Sequence, residues 1–180
     1  WEIKLSGNVI DTDVLIIGSE GAGSMAAIEA SKHNVRVLVV TKGRIRRAGA
    51  TLTGGADISV DSRSLREMGF KGTDPRDSQD IFFDDMIKAG KYMNNQNLVE
   101  IHVREAPARL KDLLDSGAKI WTTVFGASGH RYPRGAFIWG YEVSDVLKKE
   151  VNKRNIEVME YTIITDLLTH DNQAAGAVGL

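Results

Sequence analysis

Cysteine is absent from the 180 residues. That absence removes disulfides, thiolate zinc sites and cysteine-held iron–sulfur clusters from this chain. A surplus of positive charge is missing too, since 23 Lys and Arg stand against 24 Asp and Glu, a net charge of −1. Binders of nucleic acid or of anionic membranes carry a basic excess, so neither partner is expected. No apolar run approaches the length of a membrane span. Internal repeats and low-complexity tracts are lacking. The four histidines, His33, His102, His130 and His170, stand far apart and form no metal constellation. Asp84-Asp85 falls on an expected helix and is read as water-facing.

What is present describes a globular chain. Hydrophobic residues make up 42% and charged residues 26%, enough for a packed core. Glycine, at 18 residues, is frequent, and this directs attention to glycine-dependent loops. The chain opens on Trp1 rather than Met and closes on Ala177-Val178-Gly179-Leu180, which reads as a strand cut short. Residues 1–180 are therefore expected to be a piece of a longer protein.

The apolar run Asp13–Ile17, bounded by Gly18, predicts a buried strand. A turn over 18–23 and a helix over 22–33 follow, with Ala22, Ala26, Ala27 and Ala30 allowing close packing on a sheet. Val35–Val40 predicts a second strand, so the chain starts as a βαβ unit with parallel strands. Residues 42–73 show weak periodicity and read as an extended, ligand-facing segment. Asp74-Pro75 predicts a helix start, with Gly90 as its stop. A further helix is expected over 95–116, with Leu98, Ile101, Ala106, Leu110 and Leu113 on one face and Pro107 kinking or splitting it. A third helix is expected over 141–154. Residues 156–164 and 166–169 predict strands, the latter pairing with 174–180 in a hairpin around Asp171-Asn172.

The strongest chemical motif is Gly18-Ser19-Glu20-Gly21-Ala22-Gly23, set between the first strand and helix. Glycine at the first position allows the tight turn, and glycine at the last allows close helix–strand packing. The N–H groups at the helix start then face an anion, normally a pyrophosphate. Ser24-Met25 stand where a P-loop requires Lys and Ser/Thr. The middle glycine of the fingerprint is replaced by Glu20, whose carboxylate phosphates repel unless it points outward. The acidic residue that normally ends the second strand is replaced by Thr41-Lys42. Three readings stand there: Lys42 meeting an NADP phosphate, Thr41 bonding the ribose of another dinucleotide, or a solvated basic loop of Lys42, Arg44, Arg46 and Arg47.

DVLIIGSEGAG, VLVVTKG and GATLTGG together resemble the flavoprotein subunits of succinate dehydrogenase and fumarate reductase, and L-aspartate oxidase. DISVDSRS, EAPARLKDLLDSGAKI and IEVMEYTIITDLL extend the resemblance over most of the chain. It implies an α/β, Rossmann-like FAD-binding domain with a βαβ start and inserted helices. Residues 1–180 would be its N-terminal part, with the cap domain and C-terminal part absent. It also implies an FAD-dependent oxidoreductase moving hydride between flavin and a carboxylate-bearing substrate, the piece alone being inactive. Adenylylsulfate reductase-like flavoproteins are relatives within the same reading. A non-catalytic nucleotide-binding module and an NADP-dependent reductase are the alternatives of other classes.

The resemblance assigns the pyrophosphate to Gly18, Ser19, Gly21, Ala22 and Gly23, and the adenosine side to Thr41 and Lys42. Thr51, Thr53, Gly54 and Gly55 would line the isoalloxazine ring, where main-chain N–H groups favour the reduced, anionic flavin. Ile163 would meet the adenine through its backbone. Membrane-bound members hold flavin covalently through a histidine in the stretch matched by residues 47–55. None occurs here, so non-covalent FAD is expected. The Thr-Gly-x-His stretch that helps these enzymes bind dicarboxylate is matched by Trp139-Gly140-Tyr141-Glu142, which argues against a C4-dicarboxylate. In the glycine-rich loop before it, Arg134 would clamp a substrate carboxylate and His130 would donate a hydrogen bond. The implied partners are a small carboxylate substrate and an iron–sulfur subunit. The implied location is cytoplasmic, peripheral to a membrane only through a partner subunit.

Overall fold

A computed structural model describes residues 7–180. Along the chain the elements are β1 (Val14–Ile17), α1 (Gly21–Ala30), β2 (Val37–Val40), α2 (Ala50–Thr53), β3 (Gly55–Ser59), α3 (Ser62–Glu67), α4 (Gln79–Ala89), α5 (Gln96–Asp115), β4 (Gly135–Trp139), α6 (Gly140–Lys153), β5 (Glu157–Met159), β6 (Ile164–His170) and β7 (Gln173–Gly179). The described residues fall into two compact units, 7–49 with Leu147–Leu180, and Ala50–Val146.

In the first unit the apolar tetrad of β2, three valines and Leu38, is buried at every position, as a middle strand covered on both faces must be. β1 pairs with it in parallel, from Val14↔Val37 to Ile17↔Val40. β5 pairs with its other edge, also in parallel, giving the order β1-β2-β5. α1 makes the crossover and is prolonged by a 3-10 turn over Ser31–His33. Ala27 packs with Val37 and Val39 beneath Val14, Ile16 and Val158. This is the expected βαβ unit with one further parallel strand. The expected strand over 156–164 is interrupted after Met159, where Tyr161 turns at φ 56. β6 and β7 form the expected antiparallel hairpin. Its turn residues Asp171 and Asn172 sit at φ 48 and 60, the left-handed pair that a two-residue hairpin turn requires.

In the second unit β3 and β4 pair antiparallel, from Gly55↔Trp139 to Ser59↔Gly135. Val60, Leu65, Phe70, Ala106, Leu110 and Ala136 form one core cluster, and Phe82, Ile87, Val99 and Val103 form another. The segment 42–73, expected to be extended, instead holds α2, β3 and α3. Short apolar pieces between polar residues carry too little periodicity to reveal them. α4 starts at Ser78, whose hydroxyl accepts from the Ile81 N–H at 3.2 Å, rather than at Asp74. Asp74 instead closes a local turn on the Arg76 N–H at 2.9 Å. α5 is one unbroken helix through Pro107. Its buried residues on both sides of the proline, Val99 and Val103 in one cluster and Ala106 and Leu110 in the other, hold it together against the lost backbone bond. The buried stripe is therefore shifted from the expected one, and Leu98 and Ile101 are exposed.

Candidate functional site

In the first unit Gly18 leaves β1 at φ +104, a conformation that only glycine adopts without strain. Its N–H donates to the Val40 carbonyl at 2.8 Å, which pins the turn to the neighbouring strand. A β-carbon on Gly23 would overlap the Gly18 carbonyl oxygen. The first turn of α1 is thus pressed onto the strand end, and both outer glycines of the motif are geometrically required. No acidic residue stands in that first turn, so the positive end of the helix is not neutralised within it.

Two buried hydroxyls brace the turn. Ser24 Oγ donates to the Ser19 carbonyl at 2.8 Å, and Ser19 Oγ donates to Thr41 Oγ1 at 3.0 Å. Thr41 and Lys42, at the end of β2, line one cleft with Gly18, Ser19, Glu20 and Ile163. The structure therefore brings together Gly18, Ser19, Thr41, Lys42 and Ile163 of the expected set. Glu20 occupies the helix N-cap, yet its side chain makes no capping bond. Its carboxylate lies against Gly49, where a β-carbon would overlap it. Ile163 departs from its expected role. Its N–H donates to the Leu180 carbonyl at 2.7 Å and its carbonyl accepts from the Leu180 N–H at 2.9 Å. Both backbone polar groups of the residue expected to meet an adenine are thus paired with Leu180.

The basic loop is held by Glu160, which the sequence did not single out. Its carboxylate accepts from the Ile45 N–H at 3.1 Å and lies 3.6 Å from Arg44 Nε. Nothing in the local sequence marks Glu160, because the contact spans over a hundred residues.

In the second unit Thr51, Thr53, Gly54 and Gly55 run from α2 into β3. The Gly54 N–H, expected to face a ring, donates to the Ala50 carbonyl at 3.1 Å, and the Gly54 carbonyl accepts from the Gly140 N–H at 2.8 Å. Gly140 is confined, since a β-carbon there would overlap the Thr51 carbonyl.

The expected roles of the loop before β4 are revised. Arg134 is fully buried, with 0% exposure. Its Nε and Nη2 grip Asp77 at 2.7 and 2.6 Å, and its Nη1 donates to Asp85 at 2.8 Å. The guanidinium also stacks 4.6 Å above the Phe82 ring centroid. A group so enclosed does not clamp a substrate carboxylate; it fastens the loop to α4. Asp85, read as water-facing, is buried, whereas Asp84 is exposed beside Lys88. Burial pushes the Asp85 carboxyl up, but hydrogen bonds from Arg131 and Arg134 prevail and hold it below the usual carboxylate range. His130 packs 5.5 Å from the Phe82 ring, and its buried Nδ1 has no hydrogen-bond partner among the described residues. Burial, helped by the nearby Arg134 charge, lowers its pKa and keeps it neutral. Asp77, which anchors this cluster and also accepts from the Ser62 N–H at 2.8 Å, carries no sequence signal beyond being one aspartate among many.

The outer face of the β3–β4 ribbon carries aromatic rings in series. Trp121 lies 5.0 Å from Phe137, Phe137 is edge-on to Trp139 at 4.9 Å, and Trp139 stacks on Tyr141 at 6.3 Å. Among the described residues no group of His, Cys, Asp and Glu is arranged to hold a metal, and no helix is long and apolar enough to cross a membrane.

Comparison with known proteins gives a consistent result. A family model described as FAD binding domain matches residues 13–180. A fumarate reductase (CoM/CoB) subunit from Methanothermobacter marburgensis is 36% identical over 98% of this chain, which spans 32% of that protein. NADH:fumarate oxidoreductase of Klebsiella pneumoniae is 31% identical over 91% of this chain and 18% of its own length. The solved Sdh1 complex of Mycobacterium smegmatis, in its apo form, superposes with a TM-score of 0.80 at 32% identity, over 93% of this chain and 30% of the other. The chain thus spans about a third or less of the length of these relatives.

Proposed function

This chain belongs to the FAD binding domain family, and on that premise we propose that it is part of an FAD-dependent oxidoreductase acting on a small carboxylate. One observation carries the reading: the turn at Gly18 and the absence of room for a side chain at Gly23 build the close strand–helix crossover that a pyrophosphate needs. Gly18, Ser19, Gly21, Ala22 and Gly23 hold the diphosphate, and Thr41 and Lys42 face the adenosine side. Thr51, Thr53, Gly54 and Gly55 lie beside the flavin ring. With the Gly54 N–H and the Thr53 hydroxyl both donating to the Ala50 carbonyl, that contact falls to the Gly55 backbone. FAD is held without a covalent bond, because no histidine occurs in residues 47–55. When bound, FAD supplies hydride exchange with a carbon–carbon bond beside a carboxylate.

The named activities of the relatives support a fumarate reductase-like or succinate dehydrogenase-like reaction, with L-aspartate oxidase chemistry as the nearest variant. An iron–sulfur partner subunit taking or giving electrons is part of the same proposal, as is a cytoplasmic location, peripheral to a membrane only through such a partner. A second reading, a nucleotide-binding module without turnover, is favoured by Glu20, an acidic residue at the N-cap of α1 that lines the cleft. The visible spectrum of the purified protein separates them. Flavin bands that are released on acid denaturation support the oxidoreductase, and a colourless preparation that also takes up no added FAD overturns it.

A further inference from the structure

We propose that Ser24 is a positioning residue for FAD: its hydroxyl holds the Ser19–Glu20 peptide with the carbonyl turned onto α1, and so keeps that oxygen off the diphosphate. The inference rests on the proposed function, because it takes the turn over 18–23 as the seat of the diphosphate.

Ser24 directly follows the glycine motif and is 2% exposed. A serine inside a helix ordinarily turns its hydroxyl back onto the carbonyl four residues earlier, which the helical ladder already bonds. The Glu20 carbonyl holds that place here and accepts the Ser24 N–H at 2.8 Å. The hydroxyl passes it by. It donates instead to the Ser19 carbonyl at 2.8 Å, one residue before the ladder of α1 begins. Satisfying the hydroxyl alone would not require that reach.

The contact completes a pattern. The Gly18 carbonyl faces α1 so closely that a β-carbon on Gly23 would overlap it. The carbonyls of Gly18, Ser19 and Glu20 are thus all directed at the helix. The end of a helix attracts an anion only while no carbonyl oxygen turns outward beside it. Packing against Gly23 holds the first of the three, and the ladder holds the third. The second depends on a side chain.

Ser19 is anchored at both ends. Its hydroxyl donates to Thr41 Oγ1 at 3.0 Å. Thr41 is itself fixed, its N–H donating to the Met159 carbonyl at 2.9 Å and its carbonyl accepting from the Thr162 N–H at 3.0 Å. The Ser19 side chain is therefore tied to the sheet, and its carbonyl is tied to the helix by Ser24. Without the Ser24 hydroxyl the buried Ser19 carbonyl loses that donor, which is unfavourable. Rotation of the peptide toward the cleft, which Ser19 and Glu20 line, relieves the empty protein. It also sets an oxygen against the diphosphate, so the loss falls on phosphate-bearing ligands.

The test uses the purified whole protein, first flavin-loaded and then stripped of flavin. FAD release is timed by the recovery of flavin fluorescence. ADP and adenosine are then titrated into the stripped protein and followed by saturation transfer to the ligand. Ser24→Ala is expected to release FAD roughly tenfold faster and to weaken ADP by the same factor, the scale of one hydrogen bond lost from a buried site. Adenosine, which carries no phosphate, should change by less than about twofold. Ser24→Cys, close in shape and a poor donor, repeats the measurement if Ser24→Ala fails to fold. Equal losses for ADP and adenosine mark a general loosening of the turn and overturn the inference. A folded variant that keeps FAD and ADP as the parent does overturns it too, and in both cases the flavin reading stands. A parent protein that takes up no FAD fails that reading and the inference with it.

Discussion

Replacing Arg134 with methionine tests whether this arginine is a fastening or a clamp. The side chain has no exposure, and three of its five donors bind Asp77 and Asp85. Methionine fills much of the volume but strands both carboxylates in a buried site. Removing one partner of a buried ion pair typically costs about 3–5 kcal/mol. Asp77 keeps its bond from the Ser62 N–H and Asp85 keeps Arg131, so the lower end of that range applies. For a chain of this size each kcal/mol shifts the melting temperature by about 2–4 °C, giving a drop of roughly 6–12 °C. Neutralising the acids in the same background, as Arg134→Met with Asp77→Asn and Asp85→Asn, should recover most of it. Thermal and urea unfolding followed by circular dichroism measure both. A substrate clamp behaves differently: its removal lowers kcat/KM and leaves Tm alone. A Tm within about 2 °C of the parent, less than the shift from 1 kcal/mol, would refute the structural assignment and restore Arg134 to the substrate.

Gly23→Ala should cost more bound flavin than Gly18→Ala. The first forces a methyl into the Gly18 carbonyl, whereas the second meets only backbone strain at φ +104, with open space around the new methyl. The ratio of flavin to protein absorbance reports both, and equal losses would contradict the packing argument. Glu20→Gly should tighten FAD by roughly fivefold, about the effect of removing one solvent-screened like charge near the diphosphate; a flavin-release titration showing no change means that Glu20 does not face the phosphates. Acidification should destabilise the protein in two stages. His102 and His130 have lowered pKa values, so the unfolded chain binds the extra protons and stability falls as pH drops below the ordinary histidine value of 6.5. Asp85, also lowered, contributes stability that is present above the ordinary aspartate value of 3.8 and lost as pH falls further. Urea midpoints measured between neutral pH and pH 5 check the first stage, and His102→Phe with His130→Phe should flatten it.

The amino-acid order alone determined the features that depend on near neighbours. The βαβ start follows from two β-branched runs around a small-residue helix, and the terminal hairpin follows from Asp171-Asn172, which tolerate the left-handed turn. The glycines at 18 and 23 announced a strand–helix crossover because backbone conformation and contact across a single turn are local properties. Tertiary structure alone decided what the charged and aromatic residues do. Arg134 reads as a substrate clamp and Asp85 as a water-facing helix charge until α4 and the loop before β4 close around them. Glu160 gains its place only when the end of β5 meets the loop after β2. Pro107 remains inside a helix because two core clusters hold the turns on either side of it. The row of rings at Trp121, Phe137, Trp139 and Tyr141 exists only once strand register brings distant positions onto one face. Short-range geometry is written in residue type, but burial and pairing of long side chains are set by which segments fold against each other.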